Sequence, residues 1–194
     1  MTYLNVYLGC VLLFFILAFF IKNVKTYLAT GKSVRGRSFK LTISITLSTI
    51  IYLIIILKIL GFQFWILAES VVLNNPLFQV IGIFLVTSGF VLGLMALQAM
   101  KDSWRVGIKY DQKTDLITYG IYKFSRNPYF LSYDLLILGY IFIFPGWILM
   151  ILYIWLVLTF HLMILEEEKY LSDIHGDEYE QYRKKTARYF SLFK

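Results

Sequence analysis

The chain has little charge, sulfur or proline for its length. Asp, Glu, Lys and Arg make up 16% of its 194 residues, whereas soluble domains carry about 25%. Its single cysteine, Cys10, excludes an intrachain disulfide, and no Cys-x-x-Cys pair is present to bind zinc. Only three prolines occur, which favours long helices. With 59% hydrophobic residues, the composition excludes disorder and argues strongly against a water-soluble globule.

The sequence also lacks the motifs of several common enzyme classes. It contains no Gly-x-Gly-x-x-Gly, no Gly-x-x-x-x-Gly-Lys-Ser/Thr, no His-Glu-x-x-His and no Gly-x-Ser-x-Gly. Nucleotide hydrolysis, zinc proteolysis and hydrolysis by an elbow-type serine therefore lose support. The chain leaves no room for a Rossmann domain, and we expect no metal site.

The basic residues form clusters that alternate with hydrophobic runs. Of nineteen Lys and Arg, six lie in 22–40, six in 101–126 and six in 166–194, and Lys58 alone lies elsewhere. Basic clusters between apolar runs are what the positive-inside rule predicts for a protein that crosses a membrane several times. Although the formal net charge is +7, this distribution argues against nucleic acid as a partner.

Each hydrophobic run is close to the ~20 residues that a helix needs to cross a bilayer. Helices are expected because unpaired backbone groups are too costly in lipid. We therefore predict an all-α fold, a polytopic membrane helix bundle with about five transmembrane helices, a C-terminal helical hairpin and an amphipathic tail. The predicted spans are 3–21, 41–62, 77–100, 128–144 and 147–165.

The chain is expected to form one structural unit with two parts. Residues 1–100 hold the first three spans, and residues 101–194 hold a loop, the hairpin and the tail. An antiparallel hairpin is expected because only Pro145-Gly146 separates the last two spans. Small residues allow close helix packing in membranes, and a stripe of them on the third span predicts such packing, with a dimer interface as the alternative: Gly82, Gly89 and Gly93.

An odd number of spans places all three basic segments on one side, which the positive-inside rule predicts to be the cytosol. The N-terminus then lies outside and the tail lies in the cytosol, at the inner membrane of a bacterium or the endoplasmic reticulum of a eukaryote. The first span is expected to remain as an anchor, not to be cleaved as a signal peptide. The outer connection carries one charged residue, Glu69. Its apolar stretch 64–68, with Trp65, could be re-entrant or interfacial.

The first candidate site lies where a loop turns into the fourth span, at Ser125-Arg126-Asn127-Pro128. Pro128 suits the first turn of a helix, and Asn127 is expected to cap it. The free N–H groups of this helix start, together with Arg126, could hold a carboxylate or phosphate. The alternative is an interfacial cap whose arginine binds lipid headgroups.

The second candidate is Glu166-Glu167-Glu168, directly after the fifth span. Successive helical residues point about 100° apart, so at least one of these acids should face the bundle. Acidic residues at a helix C-terminus also oppose the helix dipole, which suggests a role in accepting hydrogen bonds from an amine or a ribose. The alternative is a solvated acidic collar paired with nearby Lys and Arg.

The third candidate is a pair of ionisable groups within spans. Asp134 lies about two turns into the fourth span, and His161 lies near the inner end of the fifth. Such groups usually face a cavity because charge is costly in lipid. Both could line one pocket, or they could form a polar contact that locks the hairpin.

The order of these features resembles the isoprenylcysteine carboxyl methyltransferase and phospholipid methyltransferase superfamily. The resemblance rests on Gly120-x-Tyr122, the Arg126-Asn127-Pro128 turn, a hairpin, the acidic pair and a Gly176-x-x-Tyr179 tail. The segment 103–108 is also similar to bacterial members. The match covers about residues 101–190, and its combined order and spacing are specific.

The resemblance implies an integral-membrane methyltransferase that uses S-adenosylmethionine, with a cofactor pocket formed on the cytosolic side by the last two spans and the tail. A lipophilic acceptor would enter from the bilayer, so membrane lipids surround the site. Carried over by position, the cofactor residues are Gly120, Tyr122, Arg126, Asn127 and Pro128, with Glu167 and Glu168 as the acidic pair.

The individual side chains suit that cofactor. Tyr122 or Tyr129 could present an aromatic face to the sulfonium, while an arginine and glutamates could bind the amino acid and the ribose. A protonated acceptor would need a base, and Asp134 and His161 are the candidate catalytic residues.

The sequence departs from the family pattern at three positions. Asn127 replaces a common His, Phe130 replaces a common Tyr, and Met163 stands where the isoprenylcysteine branch is expected to carry an Arg. A prenylcysteine carboxylate, a lipid amine, a thiol or another lipophile all stay open as the acceptor. Two other functions also stay open: a non-catalytic lipid- or partner-binding protein, and an enzyme of the sterol-reductase type that uses a nicotinamide cofactor.

Overall fold

A computed structural model describes residues 2–62, 75–110 and 115–190. Across these ranges the chain is helical and contains no strand, which confirms the predicted all-α membrane bundle. Two short 3₁₀ turns precede the fourth helix, at Lys101–Ser103 and Gly120–Lys123. The helices are α1 (Tyr3–Thr30), α2 (Phe39–Ile59), α3 (Pro76–Ala99), α4 (Pro128–Ile143), α5 (Trp147–His175) and α6 (Asp177–Lys185).

Four helices, α1, α2, α3 and α5, are long and apolar enough to cross a membrane, and the protein is therefore an integral membrane protein. The apolar helix α4 matches the predicted fourth span to within one residue. Its 16 residues measure about 24 Å at 1.5 Å per residue, less than the hydrocarbon layer of about 30 Å. That α4 crosses the membrane therefore stays a prediction. Two helices outrun their predicted spans, because α1 continues to Thr30 and α5 to His175.

The length of α5 places part of it outside the membrane. Its 29 residues would measure about 43 Å, whereas the hydrocarbon layer is about 30 Å thick. The apolar run 147–165 is the membrane-spanning segment, and we call residues 166–175 the α5 extension. The acidic residues thus lie on a helix that carries them beyond the lipid.

Glycines on both helices bring α3 and α4 into close contact. A Cβ added at Gly89 would lie 2.7 Å from the backbone nitrogen of Leu136 and 2.7 Å from the carbonyl oxygen of Ser132. A Cβ at Gly139 would lie 2.7 Å from the carbonyl oxygen of Gly82. These distances confirm that the glycine stripe of the third span serves packing within the bundle.

The core lies where α1, α2, α4 and α5 meet. Tyr140 on α4 is fully buried, and its hydroxyl donates to the carbonyl of Leu8 on α1 at 2.7 Å. The α2 helix packs on α5. At the end of the bundle that carries the α5 extension, the loop after α1 pairs with the segment before α4, since the amide of Gly36 donates to the carbonyl of Val106 at 2.8 Å.

The predicted outer connection lies outside the described residues. This applies to Glu69, to Trp65 and to the apolar stretch 64–68. The sidedness of the two termini stays a prediction.

Candidate functional site

A cavity of about 420 Å³ extends from the charged end of the bundle into the spans. Its charged half contains residues from the loops, the α5 extension and α6. Its inner half is walled by α1, α2, α4 and the spanning part of α5. Pockets for small molecules commonly measure about 300–1,000 Å³, so the volume suits a ligand of that class.

Glu168 joins the cavity wall to the tail. Its Oε1 atom accepts hydrogen bonds from Nε and Nη2 of Arg126 at 3.0 and 2.8 Å, and its Oε2 atom accepts from Nε and Nη2 of Arg188 at 3.1 and 2.9 Å. Burial alone would raise the pKa of this carboxyl, but the hydrogen bonds and charges of Arg188 and Arg126 hold it below its usual range. Glu168 is therefore an ionised, internally paired carboxylate.

The segment 186–190, which we call the tail strap, is bound against the start of α4. The amide of Arg126 donates to the carbonyl of Ala187 at 3.0 Å, and its guanidinium donates to the carbonyl of Thr186. The side-chain amide of Asn127 donates to the carbonyl of Arg188 at 3.2 Å and to Glu168 at 3.3 Å. The strap thus binds three residues of the cavity wall, Arg126, Asn127 and Glu168, although no residue of 186–190 lines the cavity itself.

One expectation about this turn is wrong. Asn127 occupies the N-cap position of α4, but its side chain makes no capping hydrogen bond because it binds the tail strap and Glu168 instead. The guanidinium of Arg126 binds an internal carboxylate and two tail carbonyls, those of Arg183 and Thr186. That Arg126 also binds an external anion stays a prediction.

The three consecutive glutamates have different surroundings, as the helical spacing predicts. Glu166 is exposed and pairs with Lys40 on α2, which matches the solvated-collar alternative. Glu167 and Glu168 both line the cavity. Among the described residues Glu167 makes no ion pair. Burial raises the pKa of the Glu167 carboxyl to about 7, and the neighbouring charge of Glu168 adds to this effect.

The inner half of the cavity is lined mainly by aromatic side chains. Tyr129 stands edge-on to Trp104, with ring centroids 4.9 Å apart, and Tyr133 stands edge-on to Phe160 at 5.2 Å. The indole N–H of Trp104 donates to the side-chain oxygen of Asn23 at 2.7 Å, which fixes that ring. A sulfonium or another soft cation would meet aromatic faces here.

Hydroxyl groups on α2 line the same half. The hydroxyls of Ser44, Ser48 and Thr49 each donate to a carbonyl of their own helix, at 2.9, 2.6 and 2.8 Å. Their protons are therefore used. Ser48 also bonds Tyr133, so the oxygen lone pairs of Ser44 and Thr49 remain for a ligand. Among the described lining residues from the spanning segments, none carries a charge.

Six of the eight predicted cofactor residues line the cavity. Gly120 and Pro128 do not. Gly120 has φ of 62°, a conformation that favours glycine, and it shapes the turn before Tyr122. Pro128 begins α4. The six lining residues are Tyr122, Arg126, Asn127, Tyr129, Glu167 and Glu168.

The two candidate catalytic residues are not among the cavity-lining residues. Nδ1 of His161 lies 2.5 Å from the hydroxyl of Tyr189, so this histidine holds the tail strap against α5. One carboxylate oxygen of Asp134 is buried without a hydrogen-bond partner among the described residues. That either residue acts as a base stays a prediction.

Sequence reasoning missed several cavity residues. Trp104, Ser48, Tyr133, Phe160 and Tyr179 line the cavity, but aromatic and hydroxyl residues are ordinary in membrane helices and amphipathic tails. Only the fold shows which of them share a wall.

Comparison of the chain with models of known protein families gives a match. A family model described as phospholipid methyltransferase matches residues 77–178, just over half of the chain. The matched region runs from α3 into α6 and contains the Arg126 turn and the two inward-facing glutamates. No curated protein matches the chain.

Proposed function

Because the chain belongs to the phospholipid methyltransferase family, we propose that it transfers the methyl group of S-adenosylmethionine to a lipophilic acceptor. The observation that carries this proposal is one continuous cavity, which joins a charged half beside the α5 extension to an uncharged aromatic half between the spanning helices. A polar methyl donor and a lipophilic acceptor need these two environments side by side.

The residues of the charged half fit the cofactor. When bound, S-adenosylmethionine supplies a methyl group on a positively charged sulfur. Glu167 offers a carboxyl that no described cation occupies, and it would accept hydrogen bonds from the amine or the ribose. Tyr122 and Tyr129 in the wall would present aromatic faces to the sulfonium.

Arg126 has a different role from the one that the motif suggests. Its guanidinium is engaged by Glu168 and by tail carbonyls. We therefore assign it to fixing Glu168 and the tail strap against the start of α4, which would keep the cavity wall in place around the reacting groups. Close positioning in a dry site accounts for a large share of the rate in displacement reactions.

The inner half favours an acceptor without a negative charge. A carboxylate there would meet aromatic rings and hydroxyl oxygens but no cation, and a buried unpaired charge is costly. Met163 lies in this wall and offers no charge either. A group that donates hydrogen bonds would find acceptors at Ser44 and Thr49.

For the orientation, we propose that the charged half faces the cytosol and that the N-terminus lies outside. The support is the clustering of Lys and Arg at the end of the bundle that carries the cavity mouth.

The proposal is tested by incubating the purified protein with methyl-labelled S-adenosylmethionine and an extract of membrane lipids. We expect label in a lipid-soluble product, less label with Glu167→Gln, and wild-type labelling with the exposed neighbour Glu166→Gln. A folded protein that labels no acceptor would contradict catalysis and favour a non-catalytic binding role.

A further inference from the structure

The tail helix α6 carries a buried hydroxyl whose proton no described atom accepts. Tyr179 is only 1% exposed, it lines the cavity, and its hydroxyl donates to none of the described residues. Tyr182, three residues later on the same helix, differs because its hydroxyl donates to the carbonyl of Tyr122 at 2.7 Å. Buried polar groups are nearly always paired, so an unpaired one needs an explanation.

The neighbouring ionic groups are already paired with one another. Arg126 directs its guanidinium to Glu168 and to tail carbonyls, and both oxygens of Glu168 accept from arginines. Arg126 acts on the Tyr179 hydroxyl through its charge and through a hydrogen bond toward the hydroxyl oxygen, but an arginine can only donate, and no described atom accepts the proton of the hydroxyl. An external group is therefore the available partner.

A donor hydroxyl beside two arginines suits an anionic acceptor as that partner. Two guanidinium groups share one carboxylate in the network of Arg126, Arg188 and Glu168, so these three groups together carry one net positive charge. The carboxyls of Glu168 and Glu167 also act on the Tyr179 hydroxyl. Burial raises the pKa of the Tyr179 hydroxyl to about 12, so the group keeps its proton and acts as a donor. The ring is held by edge contact with Tyr182, with centroids 6.2 Å apart.

We propose that the Tyr179 hydroxyl donates a hydrogen bond to the carboxylate of the amino-acid part of S-adenosylmethionine. This assignment rests on the proposed function and specifies how one end of the cofactor is recognised. Glu167 is in the same wall and would accept from the amine of that amino acid, so the two groups of the zwitterion would meet opposite partners. Tyr179 is then a cofactor-binding residue, contributed by the tail.

The test compares two buried tyrosines, one whose hydroxyl lies at the cavity without an acceptor and one whose hydroxyl is bonded within the core. Tyr179→Phe removes a hydroxyl at the cavity whose proton has no acceptor. Tyr140→Phe removes a hydroxyl that donates to the carbonyl of Leu8 and does not line the cavity. S-adenosylhomocysteine is titrated into each full-length protein in detergent. We expect Tyr179→Phe to weaken binding about tenfold without lowering Tm, and Tyr140→Phe to lower Tm without changing Kd.

A second ligand identifies the end of the cofactor that Tyr179 contacts. The probe is 5′-methylthioadenosine, which keeps the nucleoside and the thioether but lacks the amino acid. We expect wild type and Tyr179→Phe to bind this probe equally. Equal weakening for both ligands would overturn the carboxylate assignment and place the hydroxyl at the nucleoside.

The outcomes also separate this inference from the proposed function. If wild type binds S-adenosylhomocysteine and Tyr179→Phe binds it as tightly, the inference is wrong and the proposed function stands. If folded wild type binds neither ligand, both are wrong. A lower Tm for Tyr179→Phe, with Kd unchanged, would assign the hydroxyl a structural role.

Discussion

Nη2 of Arg126 lies 2.8 Å from Oε1 of Glu168, and both side chains are less than one-tenth exposed. This pair joins the start of α4 to the α5 extension at the wall of the cavity. The second oxygen of the same carboxylate binds the tail through Arg188. Glu168 therefore links three separate parts of the chain, and its loss should loosen the tail strap before it alters the spans.

Replacing Glu168 by Gln is expected to destabilise the tail. The substitution leaves the buried guanidinium of Arg126 without its counter-charge, and breaking one side of a buried ion pair costs about 3–5 kcal/mol. We expect a lower Tm in detergent and faster trypsin cleavage after Arg188, measured by mass spectrometry.

The matched control is Glu166→Gln, two residues earlier. Glu166 pairs with Lys40 at the surface, where both side chains are at least one-third exposed, and exposed pairs contribute about 1 kcal/mol or less. Equal changes in Tm and cleavage for the two variants would contradict the role given to Glu168.

Cofactor affinity should depend on pH through Glu167. In the free protein its carboxyl is half protonated near the pKa of about 7. If the ionised form accepts from the amine or ribose, binding strengthens as pH rises through 7 and weakens as pH falls. We expect Kd for S-adenosylhomocysteine to be about tenfold higher at pH 6 than at pH 8, measured by calorimetry.

The Glu167→Gln variant removes the titrating group. Its Kd should be higher than that of wild type at pH 8 and nearly constant between pH 6 and 8. A wild-type Kd that does not change over this range would show that Glu167 does not bind the cofactor as a carboxylate.

Because α3 and α4 pack closely, we expect alanine to destabilise the protein at Gly89 but not at Gly9. Gly89→Ala places a methyl group 2.7 Å from backbone atoms of α4, and such overpacking costs about 1–3 kcal/mol. Gly9→Ala meets only a side-chain methyl of Ile59 at 3.7 Å, an ordinary contact. Thermal unfolding in detergent should show a lower Tm for Gly89→Ala alone.

The inner half of the cavity can be filled without touching the charged half. Ser48→Phe adds bulk where the acceptor is proposed to bind, so methyl transfer should fall while Kd for S-adenosylhomocysteine stays the same. Thr46→Phe is the control, because Thr46 is exposed on the same helix and does not line the cavity. Equal transfer rates for the two variants would argue against acceptor binding in this half.

The sequence was informative where a physical rule acts locally. Hydrophobic run lengths predicted the four helices that are long enough to span a membrane, the glycine stripe predicted close packing of the third span, and the 100° helical step predicted that Glu166 and its neighbours face different ways. These conclusions need only the geometry of one helix.

The arrangement of the candidate site depends on contacts between residues that are distant in the sequence. The partners of Glu168 lie 42 positions earlier and 20 positions later, and no local pattern indicates this pairing. Asn127 was expected to cap α4, but carbonyls of the tail compete for its side chain. Tyr179 belongs to the tail motif that carried the family resemblance, but no local pattern indicates that its buried hydroxyl lines the cavity.

The most direct measurement is calorimetric titration of S-adenosylhomocysteine into the full-length wild-type protein in detergent, beside NADPH as the competing cofactor class. Saturable binding of the first with one ligand per chain, weakened by Glu167→Gln, and no heat from the second is the predicted result. A folded protein that binds only NADPH, or neither compound, would contradict a methyl-donor site at the cavity's charged end.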